Sequence, residues 1–208
     1  SIVESITMSE ITPTRSAYLE LQQERIGMEE GYRFLDEKRM VLVAETLQEL
    51  ERYEAQRREF MDAFDLAIQA LQRAVGRHGI HGLEIYPPES AAWQAVQRES
   101  RSVLGLKLET ASLERQKDAD QKLVINASPE AEEARRLFAR LIPFAARLAA
   151  ISGNLLRLRN EYQRTSRRAR ALEDVLLPEI DQTITRLDTA LEEMDKEEFI
   201  RVHLAIQR

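Results

Sequence analysis

The 208 residues include no cysteine, which excludes disulfides and thiolate chemistry and suits a reducing compartment. Aromatic residues make up 6% of the chain against 32% charged, too few rings for a thick globular core. Histidine is scarce as well. His78 and His81 with Glu84 are a loose set that could hold a metal, but a glycine-rich helix exit explains them more simply, and His203 stands apart. The chain has no glycine-rich phosphate loop, no Gly-x-Ser-x-Gly elbow and no Glu-x-x-His pair, so no catalytic residue, cofactor or metal is assigned. No apolar run approaches the roughly 18 residues of a membrane span, and no charged start leads into an apolar block. The chain is therefore expected to be cytoplasmic and to reach a membrane through partners, without insertion. A net charge of -6 disfavours nucleic acid as a partner.

What is abundant is heptad patterning. Leu137, Leu141, Phe144, Leu148, Ile151, Leu155, Leu158, Tyr162, Thr165, Ala169, Leu172 and Leu176 recur at alternating steps of three and four, with only Thr165 and Ala169 weak. A mean step of roughly 3.5 residues keeps one narrow stripe facing a partner only if the helices supercoil left-handedly. Beyond Leu176 the stripe slips by one four-residue step and resumes as Ile180, Ile184, Leu187, Leu191 and Met194, with Pro178 inside the slip. A gentle kink is expected there, not a break.

A matching stripe opens the chain. Thr12-Pro13 reads as a cap followed by proline at the first helical position. The stripe then runs Tyr18, Leu21, Met28, Tyr32, Leu35, Leu42, Thr46, Leu50, Arg57, Met61, Phe64, Ile68, Leu71 and Val75. Gly27 and Gly31 lie one turn apart, either as a tolerated pair or as a place where another helix comes close. Gly76, Gly79, Gly82 and Pro87-Pro88 end this helix. Leu83–Tyr86, Val103–Leu108 and Leu123–Ile125 read as short strands, with a helical piece over Trp93–Arg98 and a polar stretch over Glu114–Lys122. Ser128-Pro129, followed by Glu130, Glu132 and Glu133, is a second helix start.

The expected fold is all-α: a long antiparallel two-helix left-handed coiled coil with a small mixed middle region containing a short β-hairpin. Its parts are a flexible tail over 1–12, with Met8 a candidate native start, helix one over 13–76, the middle region over 77–128 and helix two over 129–208. The helices would be roughly 95 and 120 Å long. Facing residues should have numbers summing to about 210, placing Leu35 near Val175 and Tyr18 near Glu192 and Met194. Arg164, Arg167, Arg168 and Arg170 form a dense basic cluster in an acidic chain, and folding back adds Lys38 and Arg39 at that level. Like charges gathered at one level are costly unless something answers them, which points to an acidic partner surface; solvated flanks of a coiled coil are the plainer reading.

Both ends also carry motifs. Pro13-Thr14-Arg15-Ser16, Gly31 and Leu35-Asp36-Glu37-Lys38-Arg39 stand on the first helix. Arg167-Arg168-Ala169-Arg170-Ala171-Leu172-Glu173, Pro178, Thr183-Ile184 and Glu197-Glu198-Phe199-Ile200-Arg201 stand on the second. In these blocks, about the first 45 and last 45 residues, the chain resembles the D subunit of the V-type and A-type rotary ATPases, the rotor shaft of the central stalk. Asp36, Ala169 and Arg170 depart from the usual pattern, and Val202–Arg208 is less basic than the usual end. The resemblance implies a non-catalytic shaft that transmits torque between the ATP-handling head and a membrane ion-translocating ring. Its implied partners are the A and B subunits of the head, an F subunit at its side and the C (also called d) subunit at the foot. Taken with the charge cluster, it makes Pro13, Thr14, Arg15, Lys38, Arg39, Arg164, Arg167, Arg168, Arg170, Glu197, Glu198, Phe199 and Arg201 the candidate partner-binding residues, with Gly76–Ser128 engaging F or the foot. The heptads alone also allow a cytosolic coiled-coil adaptor or the stalk of an export ATPase. A helical-bundle enzyme would need inward carboxylates and histidines on four helices, which the two seams do not supply.

Overall fold

Alternating apolar steps do produce long helices. The computed structural model describes residues 12–84, 86, 95–113 and 128–206. Helix α1 spans Arg15–Leu83, strands β1 and β2 span Gln97–Val103 and Leu106–Ser112, and helix α2 spans Pro129–Ala171. A π-turn at Leu172–Leu176 leads directly into α3, Leu177–Ile206. The fold is all-α with one small antiparallel hairpin, in which Val103 pairs Leu106 and Gln97 pairs Ser112. The chain divides into two compact units, Ser1–Met40 with Gln163–Arg208, and Val41–Tyr162.

Each helix start has a local chemical cause. Thr14, not Thr12, caps α1: its hydroxyl accepts the Ala17 N–H at 3.2 Å and its carbonyl accepts the Tyr18 N–H at 3.1 Å. Pro13 thus sits just outside the helix. Ser128 opens α2 as expected, its carbonyl accepting the Glu132 N–H at 3.0 Å, with Pro129 first in the helix. At the other end α1 runs past Gly76 to Leu83. It bends at Gly79, whose φ of 68° and ψ of 166° lie in a region essentially reserved for glycine.

In the first unit, Leu21 packs with Ile180 and Leu187, and Tyr18, Met28, Ile184 and Leu191 close around them. Arg15 pairs with Asp195 at 3.0 Å and Arg25 with Asp181 at 2.6 Å, so residue numbers rise on α1 as they fall on α3. The expected register holds at Arg15–Asp195. Further along, the nearest neighbour for a Gly31 side chain is Leu172, and Val175, expected beside Leu35, is exposed. The pairing already shifts between Arg15–Asp195 and Arg25–Asp181, and the π-turn, which fits an extra residue into one turn, adds to that shift. There the Leu177 N–H bonds to the Leu172 carbonyl, and the widened turn admits Pro178 without ending the helix. Pro143, inside α2, is also accommodated, although nothing in the heptad pattern marks it.

The seam differs from expectation in the second unit. Beyond Leu42 the buried positions of α1 are Glu49, Ala67, Ala70 and Ala74, whereas Leu50 and Met61 are 41% and 42% exposed. The stripe runs one residue earlier than the large apolar side chains suggested. Ala70 and Ala74 meet Ala134, with Leu83 and Leu137 packed against them. Small side chains let two helices close tightly, and the larger ones flank the contact. Thr165 and Ala169, the two weak seam positions, are among the most buried residues of the first unit.

The middle region also needs correction. Gln97 and Arg98, assigned to a helical piece, are in β1, and Val103–Leu108 is not one strand but two strand ends joined by Leu104-Gly105. Leu104 and Gly105 have φ of 47° and 83°, a two-residue turn that suits the twist of a hairpin. A leucine in the left-handed region disguised it. Leu83 belongs to α1, and the tail to residue 11, Trp93, Glu114–Lys122 and Leu123–Ile125 lie outside the described residues. One further expectation changes: within Pro129–Ile206 an 18-residue window reaches a mean hydropathy of 1.3, long and apolar enough by length and composition to cross a membrane. Counting unbroken apolar runs missed it because averaging tolerates single charges such as Arg147 and Arg157. Asn154 and Arg157, both in that part of the helix, are tied to the hairpin by hydrogen bonds.

Candidate functional site

Two arrangements stand out, one in each unit. In the first, the ends of α1 and α3 lie together through Arg15–Asp195. On the last turns of α3, Phe199 is 73% exposed and stacks on His203 with ring centroids 6.2 Å apart, beside exposed Ile200, Val202, Leu204 and Ile206. Arg201 pairs with Glu197 at 3.2 Å along the same helix, and Glu198 is exposed. This is an apolar surface with a charged border and no covering element among the described residues. Water-exposed aromatic and aliphatic side chains in a group mark a contact surface.

The basic cluster is also external. Arg164, Arg167, Arg168 and Arg170 are exposed, while Thr165 and Ala169 between them face inward. Helical spacing alone explains this, since residues one and two apart cannot share the buried stripe. Arg39 is half-buried and bonds Asp36 at 3.2 Å, so Asp36, a departure from the usual motif, receives a partner one turn away. Lys38 is half-buried and engaged. Tyr32 lies close by, and burial together with a hydrogen bond to Glu173 pushes its hydroxyl pKa up. The exposed arginines therefore project outward, where an acidic surface can meet them. Pro13 and Thr14 form the α1 entry described above.

The second arrangement was not foreseen. The hairpin is fastened to both long helices of its own unit. Leu108 of β2 is buried against Leu42 of α1 and Leu158 of α2, with Val103 and Leu106 around them. Arg101 of β1 bonds Glu45 at 2.6 Å and Glu49 at 3.2 Å on α1. Hydrogen bonding from Arg101 holds the Glu45 carboxyl below its ordinary range against the opposing effect of burial. On α2, Asn154 is 1% exposed; its Oδ1 accepts the Glu109 N–H at 2.8 Å and its Nδ2 donates to the Glu109 carbonyl at 2.8 Å. Arg157 bonds both Asn154 Oδ1 and the Glu109 carboxylate, at 3.0 and 3.1 Å. The available signal was an asparagine inside an apolar run, Leu148–Leu158, where a polar side chain needs a partner to be tolerated.

At the far end of that unit Ser128 bonds His78 at 2.6 Å and Glu130 at 3.0 Å, and Arg77 pairs with Glu130. His78 also packs on Tyr86, whereas His81 lies 3.8 Å from Glu84. The two histidines are thus engaged separately and do not converge on one point. Ser128 ties the start of α2 to the end of α1 and serves as its cap.

The sequence profile of the ATP synthase D subunit matches residues 17–207. This chain belongs to the ATP synthase D-subunit family. Among its relatives, the V-type ATP synthase D subunit of Thermotoga neapolitana is 27% identical over 192 residues, covering 92% of this chain and 95% of that protein. The A-type ATP synthase D subunit of Pyrococcus abyssi is 28% identical over 195 residues, 92% and 91% of the two chains. The A-type ATP synthase D subunit of Methanopyrus kandleri is 28% identical over 203 residues, 94% and 85%. The D-subunit match takes in α1, the hairpin, α2 and α3, and so extends well beyond the terminal motifs.

Proposed function

We propose that this chain is the non-catalytic central shaft of a V/A-type rotary ATPase, carrying torque between a head of A and B subunits, where ATP is handled, and a membrane ion-translocating ring. The observation that carries the reading is the D-subunit family match over residues 17–207, which includes α1 and α3, the two helices of the antiparallel pair. The relatives' names supply the ATP synthase assembly, and antiparallel helices clamped along a seam supply a stiff element that can transmit a turning force.

In this reading the terminal unit is the bearing and crank within the head. Its contacts are Pro13, Thr14, Arg15, Lys38, Arg39, Arg164, Arg167, Arg168, Arg170, Glu197, Glu198, Phe199 and Arg201. The exposed apolar end of α3 gives the A and B subunits something to grip, and the outward arginines suit acidic collars on them. The region from Gly76 to Ser128 meets the F subunit or the C (d) subunit at the foot. The chain is peripheral to the membrane through this assembly and takes no cofactor or small-molecule substrate of its own.

The test is reconstitution with A, B and F subunits. A stoichiometric complex is expected, and removing Phe199 onward should leave ATP turnover in the head but uncouple it from rotation. Coupled pumping at the full rate after that cut would refute the placement of the terminal unit. Reversing Arg167, Arg168 and Arg170 to glutamate should weaken the complex without melting the isolated chain, because all three are exposed.

A further inference from the structure

A two-stranded hairpin is marginal in water when alone. Here β1 is exposed at all but its last residue, and Leu108 is the one fully buried side chain of the two strands. Apolar burial is therefore thin, and much of the attachment is polar. The polar groups are arranged unevenly. Arg101 reaches Glu45 and Glu49 with its guanidinium, a long flexible arm on a half-exposed side chain. Asn154 instead takes both main-chain groups of Glu109 with a short, buried amide.

That second contact has the form of a sheet. Residues of an antiparallel strand alternate between pairing inward and presenting N–H and C=O outward. Glu109 presents both outward, and the Asn154 amide answers with an acceptor and a donor, as the next strand would. The same amide is bonded to Arg157 at 3.0 Å and lies 3.4 Å from buried Glu49 on α1. Removing the hairpin would leave Asn154 and Glu49 to be hydrated, so the contact is made fully or not at all.

We propose that Asn154 acts as a one-residue third strand whose amide makes folding of the hairpin conditional on docking, so that β1 and β2 open and close as one unit while α1 and α2 stay paired. Asn154 is thus a positioning residue: it holds the strands in one register against the helices, and its loss releases them. The clasp is the switch point of the hairpin, and anything that takes the Asn154 amide or the Arg101 guanidinium away frees the strands.

Amide hydrogen exchange on the full chain tests this. Asn154→Leu keeps a similar volume and removes the amide. Two hydrogen bonds of ordinary strength correspond to about a 30-fold loss of protection. That loss is expected at Glu109 and at the other paired amides of Gln97–Val103 and Leu106–Ser112, with helix protection and far-ultraviolet dichroism unchanged. Retention of wild-type protection at Glu109 in a variant with native helicity would overturn the proposal. Should the substitution also lower helicity, the wild-type chain decides. Its hairpin amides are expected to share one opening reaction with a smaller denaturant dependence than the Leu158 amide, and an identical dependence for both would overturn the idea.

Discussion

Substituting alanine for Gly27 and Gly31 distinguishes a tolerated pair of glycines from a site where another helix needs the room. Around a Cβ built on Gly27 there is no atom within 4 Å, and at Gly31 the nearest is Leu172 Cδ1 at 3.9 Å, ordinary van der Waals contact. Neither position lies in the left-handed region, so alanine meets no strain. Each replacement gains about 0.8 to 1 kcal/mol from the lower conformational cost of alanine in a helix interior. Summed over the two positions this is about 2 kcal/mol, or roughly 4 to 8 °C in Tm for a chain of this size. Thermal and urea melts of the isolated chain, followed by far-ultraviolet dichroism, read this directly. Gly79→Ala is the internal control with the opposite sign: a φ of 68° with ψ of 166° should cost about 1 to 3 kcal/mol. A fall in stability for Gly27→Ala would refute the reasoning, because it would mean the open face is occupied within the chain itself. If the double variant is more stable alone yet binds head or F subunits less well, the close approach belongs to a partner.

Leu104→Asn should stabilise the hairpin by about 1 kcal/mol, since asparagine tolerates a positive φ that penalises leucine, and exchange at Val103 and Leu106 will show it as slower opening. Leu158→Ala removes a side chain with no exposure from the contact with Leu42 and Leu108 and should cost about 2 to 5 kcal/mol in a urea melt. The hairpin should also respond to acid. Glu45 has its folded-state pKa lowered from the ordinary 4.5, first by hydrogen bonding to Arg101, so its contribution is present above that value and is lost as pH falls through the folded-state one. Arg52 and Glu49 share that face of α1 and Arg101 reaches it from β1, while Arg157 and Glu109 pair across the clasp, so the protection factors of the hairpin amides, taken relative to the intrinsic exchange rate at each pH, should be flat above the ordinary carboxylate range and fall below it. Protection that falls only at higher pH would contradict this.

The terminal heptads and the start of α2 were legible because they depend on local rules: a step of 3.5 residues, and Ser128-Pro129 with acidic residues behind it. The phase of the seam was not. A ranking by hydrophobic size selects Leu50, Ile68, Leu71 and Val75, yet the helices bury Glu49, Ala67, Ala70 and Ala74, one position earlier. Size counts against a residue where two backbones approach closely, and only the facing helix, with Ala131 and Ala134, reveals that. The hairpin turn was hidden for a different reason, since Leu104 takes a conformation its type disfavours and context compensates. Candidate partner-binding residues at the ends could be proposed from motif and charge, whereas the Asn154 clasp joins residues far apart in sequence and has no periodic signature.

By itself, the order of residues determined that long amphipathic helices form, roughly where they begin and stop, and which family they belong to, because backbone hydrogen bonding and capping act over a few residues. Tertiary packing decided which face of α1 is buried, how the π-turn before Pro178 resets the pairing, and how an asparagine on α2 comes to finish a strand. Those outcomes depend on what stands opposite, and a repeat along one chain holds no record of its neighbour across the seam.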